Sequence, residues 1–166
     1  MAAGKSSAGK IMAGLAQLDF YDLDEEIERS SGMSISQIFS LEKEAGFRRR
    51  ETEMLHQLSQ LSKIVLATGG GSVLHSDNRD YLSSRGHVIY LQVSIAEQLK
   101  RLESLSQIRP LLKDRDPALQ LKLLNPEREI WYKFLAKNTY NTEKFSSAFE
   151  TATEIIQDLY DHSRKT

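Results

Sequence analysis

Ile64-Val65-Leu66-Ala67-Thr68-Gly69-Gly70-Gly71 is the stretch that decides the fold. Four apolar residues, two of them β-branched, stop at a threonine and three glycines, which reads as a buried strand feeding a tight loop. With no Cβ in the way, such glycines let another group come close to the backbone. Working outward, Val88-Ile89-Tyr90-Leu91 repeats the pattern as a second buried strand, and Phe20-Tyr21 and Thr139-Tyr140 read as briefer ones. Helical patterns fill the intervals. Gly4 to Leu18 is a loop entering a helix, with Ile11, Met12, Leu15 and Leu18 on one face. Asp24 caps a second helix that Gly32 ends, and further helical stretches begin near Ser34 and run over Leu41 to Leu61. Ile95 to Leu105, Leu119 to Leu135 and Ser146 to Tyr160 complete the set, with a polar stretch from Ser106 to Pro117. Strands alternating with helices predict an α/β fold, a parallel sheet flanked by helices.

Composition narrows the function. The 166 residues contain no internal repeat or low-complexity linker, so a single domain over 1–166 is expected. A net charge of −1 gives no global field for nucleic acid or an anionic membrane, so an anionic ligand needs a local cluster of cations. The absence of cysteine removes disulfides and thiolate chemistry. The four histidines are scattered without metal-ligand spacing, and no apolar run is long enough to span a bilayer. Met1 to Leu18 carries no acidic residue and has a targeting-peptide flavour, but it lacks arginine and a solid apolar block.

That segment has a better use as a phosphate loop, and two parsings compete. Gly4 to Lys10 fits G-x-x-x-x-G-K, but Ile11 then stands where a hydroxyl must ligate magnesium. Gly4-Lys5-Ser6-Ser7 fits the closing G-K-S-[ST] instead, with Lys5 placed for the β/γ-phosphates, Ser6 for Mg²⁺, and backbone N–H groups at a helix start for the phosphates. Downstream, Tyr21-Asp22-Leu23-Asp24 puts two carboxylates at a strand end, where ligands of open α/β sheets sit. Phe47-Arg48-Arg49-Arg50-Glu51 is a basic knot on a helix, and Arg109 and Arg128 add further cations. Taken singly, each has an ordinary structural reading: a helix start, an N-cap, a solvated face, a flexible turn.

Together and in this order they are highly specific. G-K-S-S, then F-Y-D-x-D, Glu44-Ala45-Gly46-Phe47-Arg48-Arg49-Arg50-Glu51, L-A-T-G-G-G-S-V, R-P-L-L and R-x-x-x-Y resemble the shikimate kinases from Met1 to about Thr142. The spacing from Lys5 to Tyr21 matches that family only when Lys5 is the loop lysine. The resemblance implies a P-loop kinase that moves the γ-phosphoryl of ATP to the 3-hydroxyl of shikimate, in chorismate and aromatic amino acid biosynthesis. It implies a cytoplasmic monomer whose partners are ATP and shikimate, with Mg²⁺ as cofactor and neither nucleic acid nor membrane.

Carried residue by residue, Gly4, Lys5, Ser6 and Ser7 bind nucleotide, and Lys5 neutralises the transferring group. Ser6 and Asp22 hold the metal. Asp24 binds shikimate hydroxyls and is the general base, while Arg48 and Arg128 clamp the carboxylate, a task suited to planar guanidinium forks. Gly70 offers backbone N–H, Glu51 orients Arg48, and Phe39 and Phe47 wall the ring. Arg109, on a lid at about 104–117, meets the phosphates on closure, and Arg101 lies against adenine.

Three departures accompany the resemblance. The family's chain opens with a buried central strand and a first loop glycine, and this sequence starts inside the loop, so a form that is poorly stable and weak in ATP binding is expected. Ala2 stands at the second loop glycine, and Ile130 replaces the proline of R-x-P-L-Y. The alternatives are a non-catalytic remnant of such a kinase, or another small-molecule P-loop kinase of the gluconate type.

Overall fold

The computed structural model describes residues 2–103 and 116–164. In chain order the elements are α1 (Lys5–Ala16), β1 (Asp19–Asp22), α2 (Leu23–Ser31), α3 (Ile35–Ser59), β2 (Ile64–Ala67) and a 3-10 turn (Ser72–Leu74). After these come α4 (Ser76–Arg85), β3 (Ile89–Gln92), α5 (Ile95–Glu103), α6 (Pro117–Leu135), β4 (Asn138–Asn141), a second 3-10 turn (Thr142–Lys144) and α7 (Ala148–Ser163). All pairing is parallel: Asp19 lies opposite Ile64 and Asp22 opposite Ala67, while Ile89 lies opposite Asn138 and Gln92 opposite Asn141. Helical connections between parallel neighbours follow, since parallel strands need a crossover.

The order is β1-β2 and β3-β4, and no ladder joins β2 to β3 among the described residues. A cavity of about 1180 Å³ lies between these two strands and reaches Lys5 and Gly70. This corrects the expectation of buried strands. Every β3 side chain, and all of β2 except Ala67, is only half-buried, because both strands line that cavity.

Two apolar clusters hold the layers. Leu23, Ile27, Ile38, Phe47, Leu55 and Leu58 join α2 to α3, and Met12, Tyr140, Ala152 and Ile155 join α1, β4 and α7. The inward face of α1 is Ala8, Gly9, Met12 and Ala13, whereas Leu15 is 47% exposed, which corrects the face read from the larger residues. Small residues win because α1 packs tightly: a Cβ on Gly9 would come within 2.7 Å of the Phe20 ring.

Local signals explain most boundaries. Ser34 and Gln37 form a capping box at the start of α3, and Gly32 closes α2 at φ 66°. The residue Lys43 (φ 62°) breaks α3 into the two stretches expected from the sequence. Helix α4 has no counterpart among the sequence-predicted helices, since SDNRDYLSSR carries no apolar stripe. It is held by Asn78, 1% exposed, which donates through Nδ2 to the Ser72 carbonyl at 2.9 Å, and by the adjacent pair Tyr81 and Leu82, packed against the first apolar cluster.

Candidate active site

At the carboxyl end of β1, the start of α1 and Asp22 meet in a polar corner. Gly4 adopts φ 81°, a left-handed turn that glycine takes without strain, and no side chain caps the helix behind it. The first-turn N–H groups of α1 therefore face outward with Lys5 and Ser6 beside them. Ser6 Oγ donates a short hydrogen bond to Asp22 Oδ2. Asp22 Oδ1 accepts the Asp24 N–H at 3.0 Å, so Asp22 and not Asp24 caps α2. The correction has a simple cause: Asp22 keeps extended backbone (φ −107°, ψ 124°), which is where a capping side chain can reach back. Asp24 lies one residue into α2, and its Oδ1 faces Gly69.

A hydroxyl and a carboxylate oxygen in contact form an all-oxygen donor pair. That would suit a hard cation that keeps most of its water, such as Mg²⁺. No cluster of three or more His, Cys, Asp or Glu able to cage a metal occurs among the described residues. The rival loop lysine, Lys10, lies mid-helix, 60% exposed, 3.8 Å from Glu25 Oε1 and 5.7 Å from the Phe20 centroid.

Beside this corner the glycine loop after β2 meets α3 and α6. Of the three consecutive arginines, only Arg48 points to the loop. Arg50 Nη2 reaches Glu42 Oε1 at 2.6 Å, and Arg49 Nη2, 66% exposed, lies 3.6 Å from Glu42 Oε2. Arg48 Nη1 donates to Glu51 Oε2 at 2.7 Å and Nη2 to Glu44 Oε1 at 3.1 Å. Glu51 is 1% exposed and also accepts from Ser72 Oγ at 2.8 Å. A buried carboxylate with two donors is a rigid post, and it fixes the guanidinium. Burial pulls the Arg48 pKa down, but Glu51 and Glu44 outweigh it and leave it above the usual value.

Each glycine faces a different partner. A Cβ on Gly69 would lie 2.6 Å from Glu51 Oε1 and 3.7 Å from Asp24 Oδ1. On Gly70 it would lie 3.8 Å from Arg128 Nη1, and on Gly71 2.5 Å from Arg48 Nη1. The close approach inferred from the triple glycine is therefore made by the protein's own arginines and glutamate. Arg48, Gly70, Arg128 and, through Gly69, Asp24 thus come together around one loop.

Arg128 is the telling member. It is 4% exposed, and its Nε has no hydrogen-bond partner among the described residues. Burial lowers its pKa, and the like charge of Arg48 lowers it further. A buried guanidinium, Arg128, beside a half-buried one, Arg48, whose like charge disfavours it, forms a receptor for an anion, and a carboxylate matches their fork geometry.

Elsewhere Arg101 is anchored: Nε donates to Glu97 at 2.8 Å, and Nη1 donates to Thr142 Oγ1 at 3.1 Å and to the Ala2 carbonyl at 3.3 Å. Phe39 and Phe47 pack 4.8 Å apart. The expected lid with Arg109 falls outside the described residues, save for Asp116 and Pro117. Sequence reasoning gave no role to Tyr132, whose hydroxyl donates to the Gly70 carbonyl. The R-x-x-x-Y spacing was the available signal, because i and i+4 share a helix face.

Comparisons with known proteins point to one family. The family model described as shikimate kinase matches residues 1–160. A shikimate kinase of Methylococcus capsulatus is 43% identical over 163 residues, covering 98% of this chain and 89% of that protein. One from Legionella pneumophila is 44% identical over 160 residues, covering 96% and 90%. The solved shikimate kinase of Acinetobacter baumannii in complex with shikimate superposes with a TM-score of 0.92 at 38% identity, covering 98% of this chain and 89% of that one. The shared span includes every site residue from Gly4 to Arg128, which weighs against a non-catalytic remnant.

Proposed function

This chain belongs to the shikimate kinase family, an ATP-dependent phosphotransferase, and on that premise we propose how its residues divide the transfer of the ATP γ-phosphoryl to the 3-hydroxyl of shikimate. The observation that carries the assignment of roles is the approach of buried Arg128 and half-buried Arg48 to the Gly70–Gly71 turn, with Asp24 at its other end beside Gly69.

Shikimate enters as an anion. Its carboxylate sits between Arg48 and Arg128 and relieves their repulsion, while Gly70 offers backbone N–H. That fixes the ring and presents the 3-hydroxyl to Asp24, which takes the hydroxyl proton as the oxygen attacks the γ-phosphorus. The bond from that phosphorus to the β-phosphate oxygen breaks, and ADP leaves with the electron pair. Gly4, Ser7 and the first turn of α1 cradle the phosphates, and Lys5 neutralises charge on the transferring group. Ser6 and Asp22 would hold Mg²⁺, which when bound neutralises phosphate charge. Arg109, outside the described residues, is given to the phosphates by the family resemblance alone, and Arg101, on the nucleotide side through Ala2, borders the adenine. Positioning and charge neutralisation are what phosphoryl transfer chiefly needs. The protein works as a cytoplasmic monomer of one domain. Within the described residues no helix is long and apolar enough to cross a membrane.

A coupled ADP-release assay tests the proposal. Release that depends on shikimate and on Mg²⁺ supports it. ADP release at the same rate without shikimate, or with gluconate in its place, overturns it.

A further inference from the structure

Beyond the residues that touch substrate, we propose that Arg79 and Trp131 form a strut that sets the spacing between the glycine loop and Arg128, making both positioning residues for the carboxylate pocket. The inference rests on the pocket assignment above.

Its parts come from three elements. Arg79, on α4, donates through Nη1 to the carbonyls of Val73 and Leu74, both at 2.9 Å. The same guanidinium lies face-on to the Trp131 ring, with Cζ 3.8 Å from the ring centroid. Among the described residues no carboxylate lies within ion-pair range of Arg79, so its charge is spent on two carbonyls and a π face. Trp131 follows Arg128 by three positions on α6, so the two lie about one turn apart on adjacent faces. The next residue, Tyr132, donates to the Gly70 carbonyl. The loop from Gly70 to Leu74 is thus tied to α6 at both ends, by Tyr132 at its start and by Arg79 and Trp131 at its finish.

What the ties fix is the gap that shikimate must fill. Among the described residues Arg128 Nε has no hydrogen-bond partner, and the guanidinium's side-chain bond is to Tyr132 of the same helix, so its position follows from where α6 sits. Arg48 lies against Gly71, within the tied loop. A planar cation that bonds carbonyls in its plane while stacking through its face resists sliding in two directions. A lysine at the same place would supply only a point charge.

The test uses the full chain with Trp131→Leu, Arg79→Gln, their double variant, and Trp131→Phe as the conservative rescue. Amide hydrogen exchange over 70–74 is followed in the ligand-free protein, and steady-state kinetics are measured for both substrates. Faster exchange over 70–74 and a roughly tenfold rise in shikimate KM, with ATP KM within about twofold, are expected for each disruptive variant. Trp131→Phe keeps most of the wild-type behaviour, and the double variant is no worse than the weaker single one, because either change breaks the same strut. Unchanged exchange, additive losses, or an equal rise in both KM values would overturn the strut in favour of a general structural role. If wild type fails to use shikimate, the pocket assignment falls, and the exchange measurement still decides whether the strut exists.

Discussion

Gly71→Ala isolates the geometry of the carboxylate pocket. Gly71 has φ −95° and ψ −8°, a conformation any residue adopts, so the substitution carries no backbone penalty. The added Cβ would lie 2.5 Å from both Nη1 and Nη2 of Arg48 and 2.7 Å from its Cζ. Ordinary carbon contacts need about 3.5–4.0 Å, so the guanidinium must retreat by about 1 Å. It cannot take its partners along. Glu51 is 1% exposed and bonded to Ser72 Oγ at 2.8 Å, so the retreat stretches the 2.7 Å bond to Arg48. A misplacement of about 1 Å commonly costs ~10² in rate, equivalent to ~2.7 kcal/mol. The coupled assay is therefore expected to show kcat/KM for shikimate falling by about 10²-fold, with ATP KM within about twofold. The fold survives, because the clash falls on the end of a long side chain. Gly14→Ala is the control: nothing lies within 4 Å of its added Cβ, and removing a helix-interior glycine stabilises by roughly 0.5–1 kcal/mol without touching KM. Wild-type kcat/KM for shikimate in Gly71→Ala would refute the idea that Arg48 is held against that glycine.

Three further outcomes are expected. Asp24→Asn lowers turnover by ~10²–10⁴ while ATP binding, followed by nucleotide titration, stays near wild type; equal losses in both would make Asp24 structural. Ala2 adopts φ 52°, a left-handed conformation costing roughly 1 kcal/mol in a residue with a Cβ, so Ala2→Gly raises the melting temperature and lowers ATP KM, and a lower melting temperature would contradict it. Burial, with Glu129 and Tyr132 adding to it, pushes the Tyr90 hydroxyl up to about 12. The folded state holds that proton more tightly than the unfolded one, so the contribution is whole below pH ~10 and is lost as pH rises toward 12. Denaturant titrations across that window should show the fall, and Tyr90→Phe should lessen it, leaving the part due to Tyr132 and Tyr140, which burial also shifts upward.

Much of this molecule was legible along the chain because its cues are short-range. Ile64 to Ala67, the glycines after it, the Ser34 cap, Gly32 and the change of helix near Lys43 are each dictated by a few neighbouring residues. The order of Lys5, Asp22, Asp24, Arg48, the glycine loop and Arg128 carried the family and its chemistry, since function here needs particular groups at the ends of particular strands. Helix α4 escaped because one buried asparagine and a single adjacent apolar pair, Tyr81 and Leu82, hold it, and periodicity registers only a repeating stripe.

Tertiary packing decided the rest. Three arginines in a row are equivalent in sequence, and only the approach of α3 to the glycine loop selects Arg48 for the pocket and leaves Arg49 and Arg50 to Glu42. Of two aspartates two residues apart, Asp22 and not Asp24 caps α2, because β1 leaves Asp22 extended at the helix start. The contacts of Tyr132 with Gly70 and of Arg79 with Trp131 join residues 62 and 52 positions apart (132 − 70 and 131 − 79). Residue propensities and helical or strand periodicity reach across a few neighbours, whereas a side chain's partner is chosen by which surfaces the folded layers bring within bonding distance.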